Sequence, residues 1–427
     1  MTARSLLITL LSLVPALAPI GCGDAAAPGS PTPGTGTSPD GSDASAASHA
    51  DAGTGGPGPG ADASVTPPGS TDAGADTGTS PAPKGALIAY ASGSGATLRS
   101  FTVDEATGAL SPRASLAAPA GFNASFLAVN RASTNLYAID ESTPGRVAAF
   151  TIDPRTAVLT LLDTVSSGGN GPAHVSVDAT GKWVLVANYG DGKVSVLPVQ
   201  AGGRLGDATD TQTVGANAHM AVTDPSNKFV FVPCKGADYV AQFVLDASAG
   251  KLVPNATPRL ATAAGAGPRH IAFHPGGKLA YLINENDSTM TALALDPGTG
   301  RLTPIETKST LPAGFTGTNT GAEVWVHPSG SFVIGSNRGD DSLVVFAIDA
   351  ATGKMTLTGH TKTGGKTPRS FGLDPAGAFL YAANQASDSV VPFRVDVAQR
   401  TLAPLGGAVT VGGASFIGAV RLPAPSP

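Results

Sequence analysis

The sequence is poor in charged, aromatic and cysteine residues. Only 13% of its 427 residues are charged and 5% are aromatic, and its two cysteines are Cys22 and Cys234. Two cysteines are too few for a disulfide framework or a thiolate metal cluster. No run of basic residues occurs, so nothing supports nucleic-acid binding. An apolar core must therefore hold the folded part together.

Several motifs of well-known catalytic sites are also missing. There is no HExxH and no close spacing of histidine and carboxylate, which argues against a metal site, and we expect no cofactor. There is no GxSxG, which argues against a serine hydrolase of the α/β class. No segment keeps a helical period, so the pattern favours an all-β fold.

The first 22 residues have the layout of an export signal. One Arg precedes an apolar run from Leu6 to Leu17, which is too short to cross a bilayer, and small residues precede Cys22. The segment resembles a bacterial lipoprotein signal in which Cys22 is lipidated, although Pro19 stands where that signal usually has Leu. We therefore expect an exported protein that meets a membrane only through this lipid, with plain secretion as the alternative.

Residues 23–84 consist almost wholly of Ala, Gly, Ser, Thr, Pro and Asp. Because they have hardly any apolar side chain to bury, nothing would offset the entropy lost on ordering, and we expect a disordered tether. The tether carries seven Asp and one Lys, so the remaining chain is close to neutral. That remainder, residues 85–423, is the predicted folded domain, which we expect to act as a monomer.

A repeat runs through this domain, and its clearest copy is GPRHIAFHPGGKLAYLINEN from Gly267 to Asn286. Each copy has an apolar strand, a turn, a second strand, a polar loop and two further strands. The residues at the first turn are 46 to 53 positions apart, which suits the four strands of a propeller blade; they are Asp178, Asp224, His274, His327 and Asp374, with Asn130 one unit earlier.

Six complete units follow from this spacing. A seventh can be assembled from the ends of the domain, with Ala86 to Leu116 giving three strands and Ser415 to Leu422 the missing first one. Such a blade would close the ring and leave no long open sheet edge. We therefore predict a seven-bladed β-propeller closed by its terminal strands, with a six-bladed ring as the alternative.

Blade topology predicts where the polar residues lie. Residues just before the first strand and just after the second should meet at one mouth of the central channel. The predicted mouth set is Glu141, His174, Asn188, Tyr189, His219, Cys234, Lys235, Arg269, His270, Glu285, Glu323, Asn337, Arg338, Arg369, Asn384 and Gln385. By the same reasoning His274 and His327 are turn residues on the opposite face. Trp183 and Trp325 alternate with apolar residues and are predicted to be core.

A structural interpretation of these charges stays open. Arg269 and Glu285 could form a salt bridge that only fixes two loops. His174, His219 and His270 could each be a turn residue bonded to a backbone carbonyl.

The repeats resemble the lactonase-type seven-bladed propellers, which include bacterial 6-phosphogluconolactonase and fungal carboxy-cis,cis-muconate cyclase. The motifs that carry the resemblance are NASFLAV at Asn123, PAHVSVDATGKWVLVANYG at Pro172, NAHMAVTDPSNKFVFVP at Asn217, GPRHIAFHPGGKLAYLINE at Gly267, GAEVWVHPSGSFVIGSNRG at Gly321 and TPRSFGLDPAGAFLYAANQ at Thr367. They span nearly all of 85–423. The sequence departs from the family at Asn217, which often is His, and at Cys234, which often is Asp.

The resemblance implies a catalytic set of His219, Arg269, Glu285 and Arg338 that hydrolyses a lactone of the sugar-acid type. His174, His270, Glu323, Arg369 and Gln385 are the expected substrate-binding residues. An arginine would bind an anionic group or the developing oxyanion, and Glu285 or His219 would take a proton from water. Export argues against cytoplasmic 6-phosphogluconolactone as substrate. The alternative is a non-catalytic propeller that binds a small anionic ligand or a partner protein.

Overall fold

The computed structural model describes residues 85–94 and 97–424. The predicted signal peptide, the lipidated Cys22 and the tether that ends at residue 84 lie outside these residues. Within the described ranges no helix is long and apolar enough to cross a membrane.

The described chain is built of strands. The first half contains β1 (Leu87–Ser92), β2 (Thr97–Val103), β3 (Leu110–Ala117), β4 (Ala124–Val129), β5 (Asn135–Asp140), β6 (Arg146–Ile152), β7 (Leu159–Ser166), β8 (Pro172–Val177), β9 (Trp183–Asn188), β10 (Lys193–Pro198), β11 (Asp210–Thr213), β12 (Val222–Thr223), β13 (Phe229–Cys234), β14 (Tyr239–Asp246) and β15 (Lys251–Ala261).

The second half continues with β16 (Pro268–Phe273), β17 (Leu279–Asn284), β18 (Thr289–Leu295), β19 (Leu302–Ser309), β20 (Thr320–Val326), β21 (Phe332–Arg338), β22 (Ser342–Ile348), β23 (Met355–Lys362), β24 (Pro368–Leu373), β25 (Phe379–Asn384), β26 (Ser389–Asp396), β27 (Thr401–Pro404), β28 (Val409–Thr410) and β29 (Phe416–Arg421). Three short 3-10 turns lie at Ala201–Gly203, Lys235–Ala237 and Gln385–Ser387.

These strands form seven antiparallel sheets, the blades of a propeller. Blade 1 has the strand order β29-β1-β2-β3, blades 2 to 6 each take four consecutive strands from β4 to β23, and blade 7 contains β24 to β28. In blade 1, β29 pairs with β1 from Arg421 opposite Leu87 to Phe416 opposite Ser92. The prediction of seven blades closed by the two ends of the domain is confirmed, and the six-bladed alternative is excluded.

Apolar residues of the second and third strands form the core between neighbouring blades. Tyr137 and Ile139 of β5, for example, pack with Val184 and Val186 of β9, and all four side chains are fully buried. Such alternation suits a strand whose two faces are both covered by other sheets. The first strands adjoin one another, as β4 adjoins β8 and β20 adjoins β24, and they surround the central channel.

Buried hydroxyl groups link four of the blade interfaces. Tyr90, Tyr137, Tyr281 and Tyr381 each donate a hydrogen bond of 3.0 to 3.2 Å to a backbone carbonyl in the next blade. Each phenol thus buries its ring and still satisfies its polar end. The tyrosines therefore fix the spacing of neighbouring sheets.

The predicted turn histidines serve a similar purpose. His274 Nε2 lies 3.0 Å from the Gly330 carbonyl oxygen, and His327 Nε2 lies 3.0 Å from that of Gly377, each in the next blade. These hydrogen bonds connect each histidine to the neighbouring blade, so both side chains have a structural role.

The two tryptophans differ from each other. Trp183 is buried and its Nε1 donates to the Ala247 carbonyl at 3.0 Å, as predicted for a core residue. The same prediction for Trp325 is wrong, because 42% of that residue is exposed. Trp325 lies on β20, the first strand of its blade, and lines the central channel. Its side chain is therefore not covered by a neighbouring sheet.

Candidate active site

Side-chain alternation at the ends of the second strands divides the predicted mouth set into two groups. Asn188, the last residue of β9, hydrogen-bonds to Ser195 in its own blade and to Ser167, which follows the last strand of the preceding blade. Fully buried residues occupy the matching positions in other blades: Cys234, Asn337 and Asn384. Their predicted place among the mouth residues is therefore wrong, because successive side chains of a strand point to opposite faces.

Cys234 in particular is part of a blade core. Its Sγ contacts the carbonyl oxygens of Val214 and Val232, and burial raises the pKa of the thiol to about 12. A neutral thiol at this depth does not reach a ligand. Its difference from the aspartate common in similar proteins therefore leaves the charged cluster described next intact.

Glu285, which follows β17, is the centre of a buried ion cluster. Its carboxylate lies 2.6 Å from Lys235 Nζ, 3.1 Å from Arg269 Nε and 3.0 Å from Arg338 Nη2. Burial alone would raise its pKa, but Arg338, Arg269 and Lys235 outweigh burial and lower the pKa to about 2. Glu285 is therefore ionised at every physiological pH.

The two arginines of this cluster are held by backbone carbonyls as well. Arg269 Nη1 donates to Ala322 O at 2.6 Å, and Arg338 Nη2 donates to Gly321 O at 3.1 Å. The Nε atoms of both arginines are buried and have no hydrogen-bond partner among the described residues. The contact of Arg269 Nε with Glu285 is thus ionic, with its N–H directed elsewhere. Burial lowers the pKa of Arg269 to about 9, which leaves it a cation at neutral pH.

Three buried histidines lie beside these cations. The His270 ring centre is 5.0 Å from that of His219 and 5.6 Å from that of His174. Burial, and for His219 and His270 also the charge of Arg269, hold the pKa of all three well below 6.5. Each ring has one nitrogen without a partner among the described residues, namely Nδ1 of His174, Nδ1 of His219 and Nε2 of His270. They are neutral imidazoles with a free nitrogen.

His270 is the only one of the three whose other nitrogen is held by a carboxyl group in the described part of the chain. Its Nδ1 lies 2.8 Å from Oε1 of Glu323 on β20. Ser370 Oγ and Val324 N donate to the same carboxyl group at 3.2 and 3.1 Å. Burial raises the pKa of Glu323 to about 7, although Arg269 acts in the opposite direction. An ionised Glu323 fixes the ring proton of His270 on Nδ1 and leaves the Nε2 lone pair free.

The two remaining predicted residues are Arg369 and Gln385. Arg369 Nη2 lies 3.7 Å from Glu141 Oε2, and the side chains of both are partly exposed. Gln385 begins the turn after β25, at the position that Glu285 occupies after β17, and its backbone N–H donates to Thr367 O. Arg369 thus adds a further cation, whereas Gln385 adds none.

Sequence reasoning did not single out Ser370, although a signal for it existed. His174 and His270 both stand four positions before the turn residue of their repeat, and the same count in other repeats gives Phe126, Met220, Glu323 and Ser370. These positions share one register with the second strands, as the pairs of His270 with Ile283 and of Ser370 with Ala383 show. Comparing the repeats by register would have grouped Ser370 with His270 and Glu323.

The chain matches the family described as lactonase, 7-bladed beta-propeller, over residues 85–418. It is 35% identical over 293 residues to the 6-phosphogluconolactonase of Bacillus subtilis strain 168, a match that covers 66% of this chain and 82% of that protein. Among solved structures, the periplasmic gluconolactonase of Pseudomonas aeruginosa is similar, with a TM-score of 0.73 and 27% identity over 80% of this chain and 100% of that one. A Lactobacillus plantarum protein is also similar, with a TM-score of 0.72 and 31% identity over 79% of this chain and 99% of that one.

The match to the family covers almost the whole series of blades, from β1 to the middle of β29. The ion cluster and the three histidines lie inside it. The chain belongs to the lactonase family of seven-bladed β-propellers, and within that family it is 6-phosphogluconolactonase-like.

Proposed function

We propose that the protein hydrolyses a lactone of the sugar-acid type, and that its active site is the cluster of Arg269, His270, Glu285 and Arg338 at one mouth of the channel. The observation that carries this proposal is the imidazole of His270, which is oriented by Glu323 and has a free Nε2 beside buried cations. A base next to donors that can hold an oxyanion is what lactone hydrolysis requires.

The reaction can be written with these groups. A water molecule attacks the lactone carbonyl carbon while His270 Nε2 takes its proton. The carbonyl oxygen becomes an oxyanion near the guanidinium groups of Arg269 and Arg338, whose Nε–H groups have no other partner in the described residues. The bond from the carbonyl carbon to the ring oxygen then breaks, and the proton passes from His270 to that oxygen. The product is an open hydroxy acid.

In this scheme Glu285 keeps the arginines in place. The sequence left Glu285 and His219 as alternative bases, but the Glu285 carboxylate is occupied by three cationic partners, whereas His270 Nε2 has no partner among the described residues. His219 lies next to His270 and has a free Nδ1 that can hydrogen-bond a substrate hydroxyl. We therefore assign proton transfer to His270 and substrate binding to His219.

The charge of the site favours an anionic product. Four basic side chains, Lys235, Arg269, Arg338 and Arg369, pair with the carboxyl groups of Glu285 and Glu141, and Glu323 adds a third carboxyl group beside them. The excess positive charge stabilises the oxyanion and the carboxylate that forms from it. We propose that the protein is exported and that its substrate is an unphosphorylated lactone, a class consistent with the periplasmic gluconolactonase to which it is similar.

Arg338→Ala is expected to lower kcat/KM for glucono-δ-lactone by about 100-fold, because one donor to the oxyanion is lost. The measurement is hydrolysis at a pH near 6.5, where spontaneous opening is slow, with the rate without enzyme subtracted. Arg421→Ala is the matched control, since Arg421 pairs with Glu105 away from the cluster and should keep full activity. 6-Phosphogluconolactone, tested in parallel, should be the poorer substrate.

Equal rates for the wild-type protein, Arg338→Ala and the solution without enzyme would contradict catalysis. The non-catalytic propeller that binds a small anion would then be the better reading. A preference for the phosphorylated lactone would contradict the proposed substrate but keep the reaction.

The rate is expected to rise with pH through about 7, because Glu323 has its pKa there. Below that pH the protonated carboxyl group can donate to His270 Nδ1, which places the ring proton on Nε2 and removes the base. Above it, the carboxylate only accepts, and Nε2 is free. The check is the pH dependence of kcat/KM between pH 5.5 and 8 after subtraction of the spontaneous rate.

Glu323→Gln should remove this rise and leave a lower, nearly flat profile, because an amide does not titrate. Glu105→Gln, which changes a partly exposed carboxylate elsewhere, should keep the wild-type profile. An unchanged rise through pH 7 in Glu323→Gln would assign the titration to another group.

A further inference from the structure

A separate cavity of about 470 Å³ lies in the channel. First strands of all seven blades line it, mostly with apolar side chains. Of the described residues that line it, Glu323 is the only one with a carboxyl group, and none of them is an arginine or a lysine. Arg269, Glu285 and Arg338 are not part of its wall. Its size and lining are those of a small-molecule site.

The cavity exists because small residues share one register position in most blades. Seven residues pair with the third residue of the second strand of their blade: Ala128, Ser176, Val222, Ala272, Trp325, Gly372 and Ala419. Six of the seven are small, so they leave the centre of the channel open. The seventh, Trp325, places a large ring at this level with 42% of the residue exposed.

An exposed tryptophan on an apolar cavity wall is unusual, because its indole could be buried at a gain of free energy. Phe126, Phe273 and Phe416 line the same cavity. Rings of Phe126 and Phe416 are 4.6 Å apart. These aromatic faces offer a flat apolar body a continuous contact surface.

Polar groups lie together on one part of this wall. Glu323, Ser370 and His174 line the cavity, and all three are buried. His174 Nδ1 has no partner among the described residues. A ligand head group with a carbonyl or hydroxyl would satisfy this nitrogen. An anionic head group would be disfavoured, because it would lie next to the Glu323 carboxyl group and no arginine or lysine lines the wall to offset the repulsion.

We propose that the channel cavity is a second ligand site, which takes one uncharged small molecule with an apolar body against Trp325 and a single polar head at Glu323, Ser370 and His174. The site is distinct from the proposed hydrolysis and does not depend on it. His174, Glu323 and Ser370 line both this cavity and the His270 side, whereas the four residues assigned to hydrolysis are not part of the cavity wall.

The test uses 6-propionyl-2-dimethylaminonaphthalene, a neutral dye with an apolar bicyclic body and one ketone. Titration into the wild-type domain should show saturable binding of one dye per chain with blue-shifted emission. Trp325→Ala should weaken binding at least about 10-fold, because the main aromatic wall is lost. Ala272→Phe, which adds a ring to the open centre, should weaken it similarly by filling the space.

Leu357→Ala is the matched control, because Leu357 is exposed on the outer strand β23. It should bind the dye as the wild-type does, and so should Arg338→Ala, whose side chain is outside the cavity. Thermal unfolding of each variant shows whether it is folded. Binding that is unchanged by both Trp325→Ala and Ala272→Phe, or equally lost in Leu357→Ala, would overturn the proposal, as would the absence of saturable binding to the folded wild-type.

Discussion

His270→Asn is expected to lower kcat for glucono-δ-lactone by about 100- to 10,000-fold while the propeller stays folded. Asparagine can keep a hydrogen bond to Glu323 in place of the Nδ1–H group. It has no counterpart of Nε2, the nitrogen that is free in the structure. The change therefore removes the base and keeps most of the packing. Single-turnover rates at pH 7.5, after subtraction of the spontaneous reaction, measure the loss.

His274→Asn is the matched control for this variant. His274 belongs to the same repeat but bonds to the carbonyl of Gly330 in the next blade. The equivalent turn position of blade 2 is Asn130, so the fold accepts an asparagine there. We expect His274→Asn to keep kcat and to lose a small amount of stability at most.

His219→Asn separates the two candidate bases. If His219 binds substrate, as proposed, its replacement should mainly raise KM and leave kcat within about 10-fold. A large loss of kcat confined to His219→Asn, with His270→Asn active, would assign the base to His219 and contradict the proposal.

The periodic turn residues made the architecture readable from the sequence. Their spacing gave the number of strands per blade, and SFIGAVRL at the end of the domain supplied the missing first strand, which the structure shows as β29. This worked because each strand is a short apolar run between turn residues, a local property. Trp325 failed the same reasoning, because a pattern of alternating apolar residues does not distinguish a sheet face from the wall of a channel.

Only part of the candidate site could be predicted from the sequence. Topology predicted that Arg269, Glu285 and Arg338 would meet, and the structure brings them together. It did not reveal that Cys234 points into a blade, since one step along a strand reverses the side chain. Topology also did not identify Glu323 as the hydrogen-bond partner of His270. The two residues are 53 positions apart in the sequence, and only the register of two neighbouring blades brings them together.

Glu285→Gln is expected to lower the free energy of unfolding by about 3 to 5 kcal/mol, because it removes the shared counter-charge of three cations. Arg269 is buried with 3% of the residue exposed, and Arg338 is nearly so. A glutamine can accept a hydrogen bond but brings no negative charge, so the cations would repel one another. Urea denaturation at pH 7 measures the change.

Glu141→Gln is the control, because Glu141 follows β5 as Glu285 follows β17 but is partly exposed and 3.7 Å from Arg369. An exposed pair of this kind contributes less than about 1 kcal/mol. The difference in unfolding free energy between the two variants therefore measures the effect of burial and of the number of cationic partners.

The pH dependence of stability gives an independent check. The pKa of Glu285 is about 2 in the folded protein, below its ordinary value of 4.5. Its stabilising effect is therefore complete above pH 4.5 and is lost as the pH falls towards 2. Glu285→Gln should thus be much less stable than wild-type at pH 7, and the gap should narrow on acidification. A gap that stays constant from pH 7 down to pH 3 would show that Glu285 stabilises the fold by packing instead of charge, and the cations would then need another counter-ion.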